Sequence, residues 1–594
     1  MKNTKLSLLL IVSFCGVFLS LKSQDKSLHF ISTSHLDTQW NWDVKTTIDE
    51  YIPNTMLQNF ALFAKYPSFQ FNFEAAIHYK WMKEYYPDQY NKLKQYVQDQ
   101  RWHPSGGSIN ASDVMVPSGE SIIRNFLYGQ TFYKKEFGRK GGTDFMVPDC
   151  FGFPYSLPSL AKHCGITGFH TAKLAWGSAY KYDDLAPFGI WKGVDGSEIY
   201  AVFKGEPYDW HEVYNKDMSY DSDILGTAST NQSKYGAPFV FRYVGPRGDR
   251  GGALQDNPQV IGENTPSWLQ ASVNSDGPLK VFLSTPSEIF SLLDQYKNDK
   301  YFVWNNELPM TKHGVGCYTS HAMMKYWNRK NELLADAAEK SSVFADWLGG
   351  INYPSEQMQD AWTTLLWHHF HDDLTGTSIP SAYVYSYNDE VLVNLNLSEV
   401  LKNSIGSVVR KMDTQTAGIP LVVYNPLSIE RKDVVEATVS VDSKVDNIRV
   451  FDKNGVEILS QVLRYDASAQ KLYIIFEATV PSLGYSVYDL RLNEASPLKS
   501  DLAISGQAIE NDDYKVTIDS NGDVSSVLDK GMGIELLTSP IRLVMLSDVS
   551  TEYPSWEIMW SDVNAAPKAY VDENVSVMME ENGPLRVSLK VSRS

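Results

Sequence analysis

The sequence predicts a multidomain α/β + α + β protein: an N-terminal parallel-stranded α/β domain, a three-helix bundle, and a C-terminal antiparallel β-sandwich. Three observations predict it. From about Gln24 to Pro309, short apolar runs alternate with helical patterns. From about Met323, apolar residues recur at helical spacing, and after "TAGIPLVVYNP" the texture turns to alternating strands joined by Asn-Gly turns.

The first 24 residues carry a basic head at Lys2 and Lys5 and an apolar run from Leu6 to Leu21. That run is short for a membrane span and lacks a stop-transfer flank, so residues 1–24 read as a cleaved secretory signal. The chain is therefore expected to be exported, to the periplasm or the extracellular space. Lipoprotein anchoring at Cys15 is disfavoured, because Phe14 is bulky where a small residue is expected. No later segment is long and apolar enough for stable membrane insertion. Cys150, Cys164 and Cys317 are too few and too odd a set for a disulfide framework.

Residues 25–309 form the expected α/β domain, whose strands include "FQFNFEAA", "GTDFMVPDC", "GITGFHTAKL" and "LKVFLSTPSEIF". Residues 310–413 form the helical bundle. Met324, Trp327, Leu334 and Ala338 share one helical face, Met358, Trp362, Leu365 and Leu366 a second, and a third pattern covers much of Ala382 to Met412. Residues 414–594 form the β-sandwich region, with turns at Asn454-Gly455 and Asn521-Gly522. The chain stops directly after the strand-like "LRVSLKVSRS", so this region is expected to be incomplete.

A net charge of −18 argues against a nucleic-acid partner, which needs a basic face. A neutral substrate fits better. Fifteen Trp and 34 Tyr suit sugar-stacking platforms, and equally a large packed core.

Active sites of parallel α/β folds lie at the carboxyl ends of strands. In "HFISTSHLDTQWNWD" a strand ends in His35, Asp37, Trp40 and Trp42. In "FMVPDCFGFPYSLPSL" Asp149 sits at a strand tip after Pro148, and "WHHFHDDLTGTS" closes a helix with His368, His369, His371, Asp372 and Asp373. Together these supply two nitrogens and two or more oxygens. That donor set suits tetrahedral zinc, at about 2.0–2.2 Å, better than calcium, which wants about six to eight oxygens. His368 and His371 lie one helical turn apart on one face while His369 points elsewhere. His371 is preferred as the ligand because it adjoins the acids and the turn.

The combination of "HLDTQW", "PDCFGFPYSLPSL" with "GFHTAKLAW", "HGVGCYTSHAMMKYWNRKNE" and "HDDLTGTS" resembles the class II α-mannosidases, glycoside hydrolase family 38. The resemblance runs from about residue 29 to 380, with weaker similarity beyond. It implies one Zn2+ per chain held by His35, Asp37, Asp149 and His371, with Asp149 also the nucleophile. It implies Trp40, Phe151, Lys173 and Asp373 as substrate contacts. A retaining glycosidase also needs a second carboxyl about 5–5.5 Å away as acid/base, and Asp249 in "RYVGPRGDRGGAL" resembles the family's Gly-rich loop. Its neighbours Arg247 and Arg250 are cations that would depress its pKa unless burial offsets them. Asp113, Glu74 and Asp373 are the fallback acids. His313, Tyr318, Ser320, Lys325, Asn328 and Arg329 resemble a family signature that either docks the bundle or lines the pocket.

The function implied is a zinc-dependent retaining exo-α-mannosidase acting on terminal α-mannosyl residues of an oligosaccharide or glycoprotein glycan. Family members are usually much longer, and their later β domains can reach the pocket. Two alternatives stay open: a catalytically inactive mannoside-binding relative, and another zinc carbohydrate hydrolase such as a deacetylase. Oligomeric state and linkage preference are not legible.

Overall fold

A computed structural model describes residues 25–594 except 139–140, 178–179, 206–213, 247, 258, 260–263 and 551. The expected signal, 1–24, and Arg247 lie outside the described residues.

Two sheets build the N-terminal domain. In the first, Ser27–Ser34 pairs in parallel with Phe71–Phe73, Phe239–Val244 and Lys280–Leu283, and Trp102–Pro104 extends it beyond Phe71–Phe73. The second runs in the order Phe302–Trp304, Phe188–Lys192, Glu198–Val202, Gly168–His170, Asp144–Met146. It is parallel except where Phe188–Lys192 meets Glu198–Val202. Parallel neighbours require crossovers, and the helices Ile52–Lys65, Ala76–Tyr85 with Pro87–Gln98, and Leu157–His163 supply them. The strand SLHFISTS is buried at every position but its first, as expected for a strand covered on both faces. Ile31, Met146, Ile190, Val202, Phe239 and Phe290 fill one apolar cluster, so the two sheets share a core.

The helices Ala322–Trp347, Ser355–Trp367 and Pro380–Val409 form the bundle. Met324, Ala338, Met358, Trp362, Leu365 and Leu366 are buried, as their spacing predicts. Trp327 and Leu334 are only half-buried. Trp362, Leu366 and Leu397 join the same apolar cluster as Leu28, Phe71 and Trp102, so the bundle docks on the first sheet through continuous core.

Farther along, Ile419–Asn425, Gly484–Leu492, Ile448–Phe451 and Glu457–Ile458 make one antiparallel sheet. Arg431–Ser440, Lys471–Val480 and Ser460–Asp466 make another, and Val450, Leu472, Ile474, Phe476 and Leu490 fill the space between. The expected turns at Asn454-Gly455 and Asn521-Gly522 fall in hairpins, where only the glycines take positive φ, 78° and 75°. Cys150, Cys164 and Cys317 are free thiols. Among the described residues no helix is long and apolar enough to cross a membrane.

Candidate active site

Local backbone pairing brings the expected residues together. His35 follows the strand Ser27–Ser34, and Leu36 forms an isolated antiparallel bridge with Arg250. Asp37 N donates to Asp249 O at 2.9 Å, and Gly251 N to His35 O at 2.8 Å. The loop can double back here because Gly248, Gly251 and Gly252 take φ of 82°, 66° and 97°, which side chains with a Cβ rarely adopt. Asp149 follows the strand Asp144–Met146. Ala172 N bonds Pro148 O at 3.1 Å, which sets Lys173 beside Asp149, and the two form an ion pair.

His371 reaches the site by a route that helical spacing did not predict. The helix Ser355–Trp367 stops at its cap, His368, so His368 and His371 do not share a helical face. Instead Phe370 bridges Ser112, Asp113 N bonds His369 O at 2.8 Å, and His371 Nδ1 donates to Ala111 O at 2.9 Å. That bond leaves Nε2 as the lone-pair nitrogen facing inward. His368 pairs with Asp373 and Asp389, and His369 Nε2 meets Asn328 Oδ1 at 2.6 Å, so both serve packing.

The donor set fits a metal cation. His35 Nδ1 bonds Glu74 Oε1 at 3.0 Å, and its Nε2 stands 2.9 Å from Asp37 Oδ1. His371 Nε2 lies 3.7 Å from Asp37 Oδ1, 3.9 Å from Asp149 Oδ2 and 3.5 Å from Asp372 Oδ2. Asp37 Oδ2 and His371 Nε2 are buried without a hydrogen bond. Buried acceptors are ordinarily satisfied, and acceptors facing one another need a cation between them. Three overlapping groups place ligand atoms within 4.8 Å: His35, Asp149 and His371; His35, Asp37 and Asp249; Asp37, His371 and Asp372. Glu74, named as a fallback acid, acts instead on His35, as carboxylates commonly do behind metal-bound histidines.

Electrostatics follow from this crowding. Burial opposes a charge on Asp149, but Lys173, His371 and His35 outweigh it and hold its carboxyl below the ordinary range. Burial and then Asp149 push Asp372 up to about 8. Burial lowers the His35 pKa, yet Asp37 and Glu74 more than reverse it and raise it well above the usual value. A proton on His35 thus stands in for the cation these acids call for. Burial, then His35, brings His371 down to about 3, a neutral imidazole ready to ligate.

A cavity of about 220 Å³ opens at the cluster, lined among others by Trp40, Asp149, Lys173, Trp176, Asp249, Asp372, His313, Tyr553 and Trp556. Trp40 and Lys173 are therefore where a substrate contact would be. Phe151 is not: it is 1% exposed, with its ring edge-on to His313, His371 and Trp556 beneath the wall. Asp373 is also turned away, held by His368 and by Ser386 Oγ at 2.6 Å, and its neighbour Asp372 faces the cavity. Asp372 itself is oriented by Thr377 Oγ1 at 2.6 Å. Asp113 caps its own turn through Met115 N and Val116 N. Arg250 lies over the rings of Trp42 and Tyr51, at 5.4 and 5.9 Å.

The signature segment mostly joins parts of the molecule: Ser320 Oγ bonds Ser555 O at 2.7 Å, and Tyr318 Oη bonds Phe151 O at 3.4 Å. His313 is the exception, since it lines the cavity. Sequence reasoning missed Trp176, Tyr553 and Trp556, and of the two adjacent acids it chose Asp373 where Asp372 lines the cavity. "GFHTAKLAW" contained Trp176 beside Lys173, but no local signal in "EYPSWEIMW" tied Tyr553 and Trp556 to this site.

The chain thus combines an N-terminal parallel α/β domain, with a His/Asp cluster at its strand ends, with a helical bundle and antiparallel β-sheets. Residues 25–307 match the glycosyl hydrolases family 38 N-terminal domain, and residues 315–407 the alpha mannosidase middle domain. The chain belongs to glycoside hydrolase family 38, the class II α-mannosidases. It is 27% identical over 582 residues to Alpha-mannosidase G of Dictyostelium discoideum, covering 94% of this chain and 51% of that protein. To human Alpha-mannosidase 2C1 it is 33% identical over 359 residues, covering 59% of this chain and 32% of that one. The chain thus spans about half or less of the length of these relatives. A crystal structure of an alpha-mannosidase from Enterococcus faecalis V583 shares the fold, with a TM-score of 0.76 at 18% identity over 96% of this chain and 67% of that one.

Proposed function

We propose that the protein is a zinc-dependent retaining exo-α-mannosidase that removes terminal α-mannosyl residues from glycans. One observation carries the reading. Of the four candidate ligands, His35, Asp37 and His371 have side chains 0%, 1% and 0% exposed, whereas Asp149 is 21% exposed at the cavity floor. A pure ligand can be sealed in; a nucleophile must face the sugar.

His35, Asp37, Asp149 and His371 would hold the metal, which supplies a Lewis-acidic charge that favours binding of ring hydroxyls. Lys173 keeps Asp149 ionised. The Asp149 carboxylate attacks the anomeric carbon while the glycosidic C1–O bond breaks, and Asp249 gives its proton to the departing oxygen. Asp249 then takes a proton from water, whose oxygen displaces Asp149 from C1 and leaves mannose in the α configuration. Trp40 and Trp176 line the cavity that the ring would enter. The acidic net charge supports a neutral glycan and no nucleic-acid partner. The basic head and apolar run of residues 1–24 support export to the periplasm or cell exterior, which N-terminal sequencing of the mature protein tests.

Hydrolysis of 4-nitrophenyl α-mannoside, with and without a chelator, tests the activity. Turnover should vanish on chelation, return with zinc, and be absent from Asp149→Ala. Full activity in either case refutes the reading.

A further inference from the structure

We propose that Asn125, acting through segment 110–112, is a positioning residue that sets the spacing between His371 and the nucleophile Asp149. The inference rests on the metal site and the nucleophile assigned above, and adds to them a residue that is neither a ligand nor part of the cavity lining.

Asparagine is a poor helix former, because its short amide competes for nearby backbone hydrogen bonds. Asn125 nevertheless sits inside the helix Gly119–Phe137, 2% exposed, and its amide serves an irregular segment instead. Oδ1 accepts from Ile109 N at 3.0 Å and Asn110 N at 3.2 Å, while Nδ2 donates to Asn110 O at 3.3 Å and Ser112 Oγ at 3.1 Å. No other side chain of this length offers an acceptor and two donors in one plane. Ile109 N also reaches Asn125 O at 3.0 Å, so the contacts that the side chain alone supplies are those to Asn110 and Ser112. Helix and segment approach closely: at Gly129, one turn on, a Cβ would stand 2.3 Å from the Ser108 carbonyl carbon.

The clamped segment touches both halves of the site. Ala111 O accepts from His371 Nδ1 at 2.9 Å. Cys150 Sγ lies 3.3 Å from Ser112 O and 3.7 Å from Ala111 O, which directs its thiol proton at the same stretch, and Cys150 directly follows Asp149. Two consecutive carbonyls thus hold a metal ligand and the chain neighbour of the nucleophile. The separation they keep is the 3.9 Å between His371 Nε2 and Asp149 Oδ2. Asn110 completes the frame, with Oδ1 accepting from Ala111 N at 2.9 Å and Nδ2 donating to Trp367 O at 3.1 Å. Asn110, Ala111, Ser112, Asn125 and Cys150 are all buried, where a lost hydrogen bond costs most.

The test uses the full chain with zinc, and with cobalt(II) in its place as a probe whose visible absorption reports ligand geometry. Asn125→Asp keeps the acceptor, loses the donor and sets a carboxylate against Asn110 O; Asn125→Leu loses both. In each, zinc affinity by chelator competition should fall by about 10–100-fold, as for other groups that orient ligands from behind, and the cobalt bands should shift. On 4-nitrophenyl α-mannoside at saturating zinc, kcat and kcat/KM should fall together by about 10–100-fold, the size expected when reacting groups are misplaced by about 1 Å. Cys150→Ala should give a smaller change of the same kind, and Cys150→Ser, which keeps a donor, should restore most of it. Near-UV circular dichroism identifies the folded variants; if neither Asn125 variant folds, Cys150→Ala against Cys150→Ser decides. Folded Asn125 variants with wild-type zinc affinity and unshifted cobalt bands overturn the proposal, as does Cys150→Ala indistinguishable from wild type. A wild type that binds neither metal overturns the metal reading beneath it, whereas a metal-binding wild type matched by its variants overturns the positioning role alone.

Discussion

Removing Glu74 should loosen the metal without touching the sugar pocket. Glu74 is 3% exposed and lines no part of the cavity; its one side-chain role in the site is to accept from His35 Nδ1 at 3.0 Å. That bond fixes the ring and leaves Nε2 aimed at Asp37 Oδ1, 2.9 Å away. In Glu74→Ala the His35 Nδ1–H is buried without an acceptor, a loss of about 1–3 kcal/mol that the ring can relieve only by rotating out of position. Zinc affinity should fall by about 10–100-fold, which corresponds to roughly 1.4–2.7 kcal/mol. Glu74→Gln keeps an acceptor oxygen and loses only the charge, so its loss should be the smaller. Competition with a chromophoric chelator at pH 7 measures both affinities, and 4-nitrophenyl α-mannoside hydrolysis at saturating zinc measures turnover. Most turnover should return at saturation. An Ala variant with wild-type affinity, or a Gln variant whose turnover stays lost at saturating zinc, would refute the assigned role.

Three further outcomes are expected. Lys173→Met removes the cation that keeps Asp149 below the ordinary carboxylate range, so the acid limb of kcat/KM should move to higher pH; an unmoved limb contradicts the pairing. Zinc affinity should rise with pH through neutrality, because the metal-free site holds protons on His35 and on Asp372, whose pKa is about 8. Calorimetry in buffers of different ionisation enthalpy should accordingly register proton release on binding. Gly129→Ala would place a Cβ 2.3 Å from the Ser108 carbonyl carbon, and since the obstacle is backbone the helix must shift. Denaturant unfolding should show a loss of at least about 1–3 kcal/mol. His371 should lose its hold in parallel, because the irregular segment that begins at Ser108 leads directly to Ala111, its acceptor.

The architecture was legible because it rests on periodicity. SLHFISTS reads as a doubly covered strand, and the Met358, Trp362, Leu365 and Leu366 spacing reads as a helix face; burial of apolar side chains enforces both. His35, Asp37 and Asp149 were legible for a related reason. They lie within three residues of strand ends, where the end of pairing leaves polar side chains at the rim of a parallel sheet. His371 was named from its place beside the acids, although the helix thought to carry it ends earlier.

What sequence alone determined about this protein is the order of its elements and which segments would meet, since hydrophobic period and turn residues act locally. Tertiary structure decided which way side chains point in irregular backbone. Asp372 faces the cavity and Asp373 the bundle because Thr377, His368 and Ser386 hold them so. Phe151 is sealed beneath Trp556, and Tyr553 and Trp556 enter the site from the far end of the chain through carbonyls bonded to Gly314, Gly316 and Ser320. Such contacts depend on partners hundreds of residues away, and no local spacing encodes them.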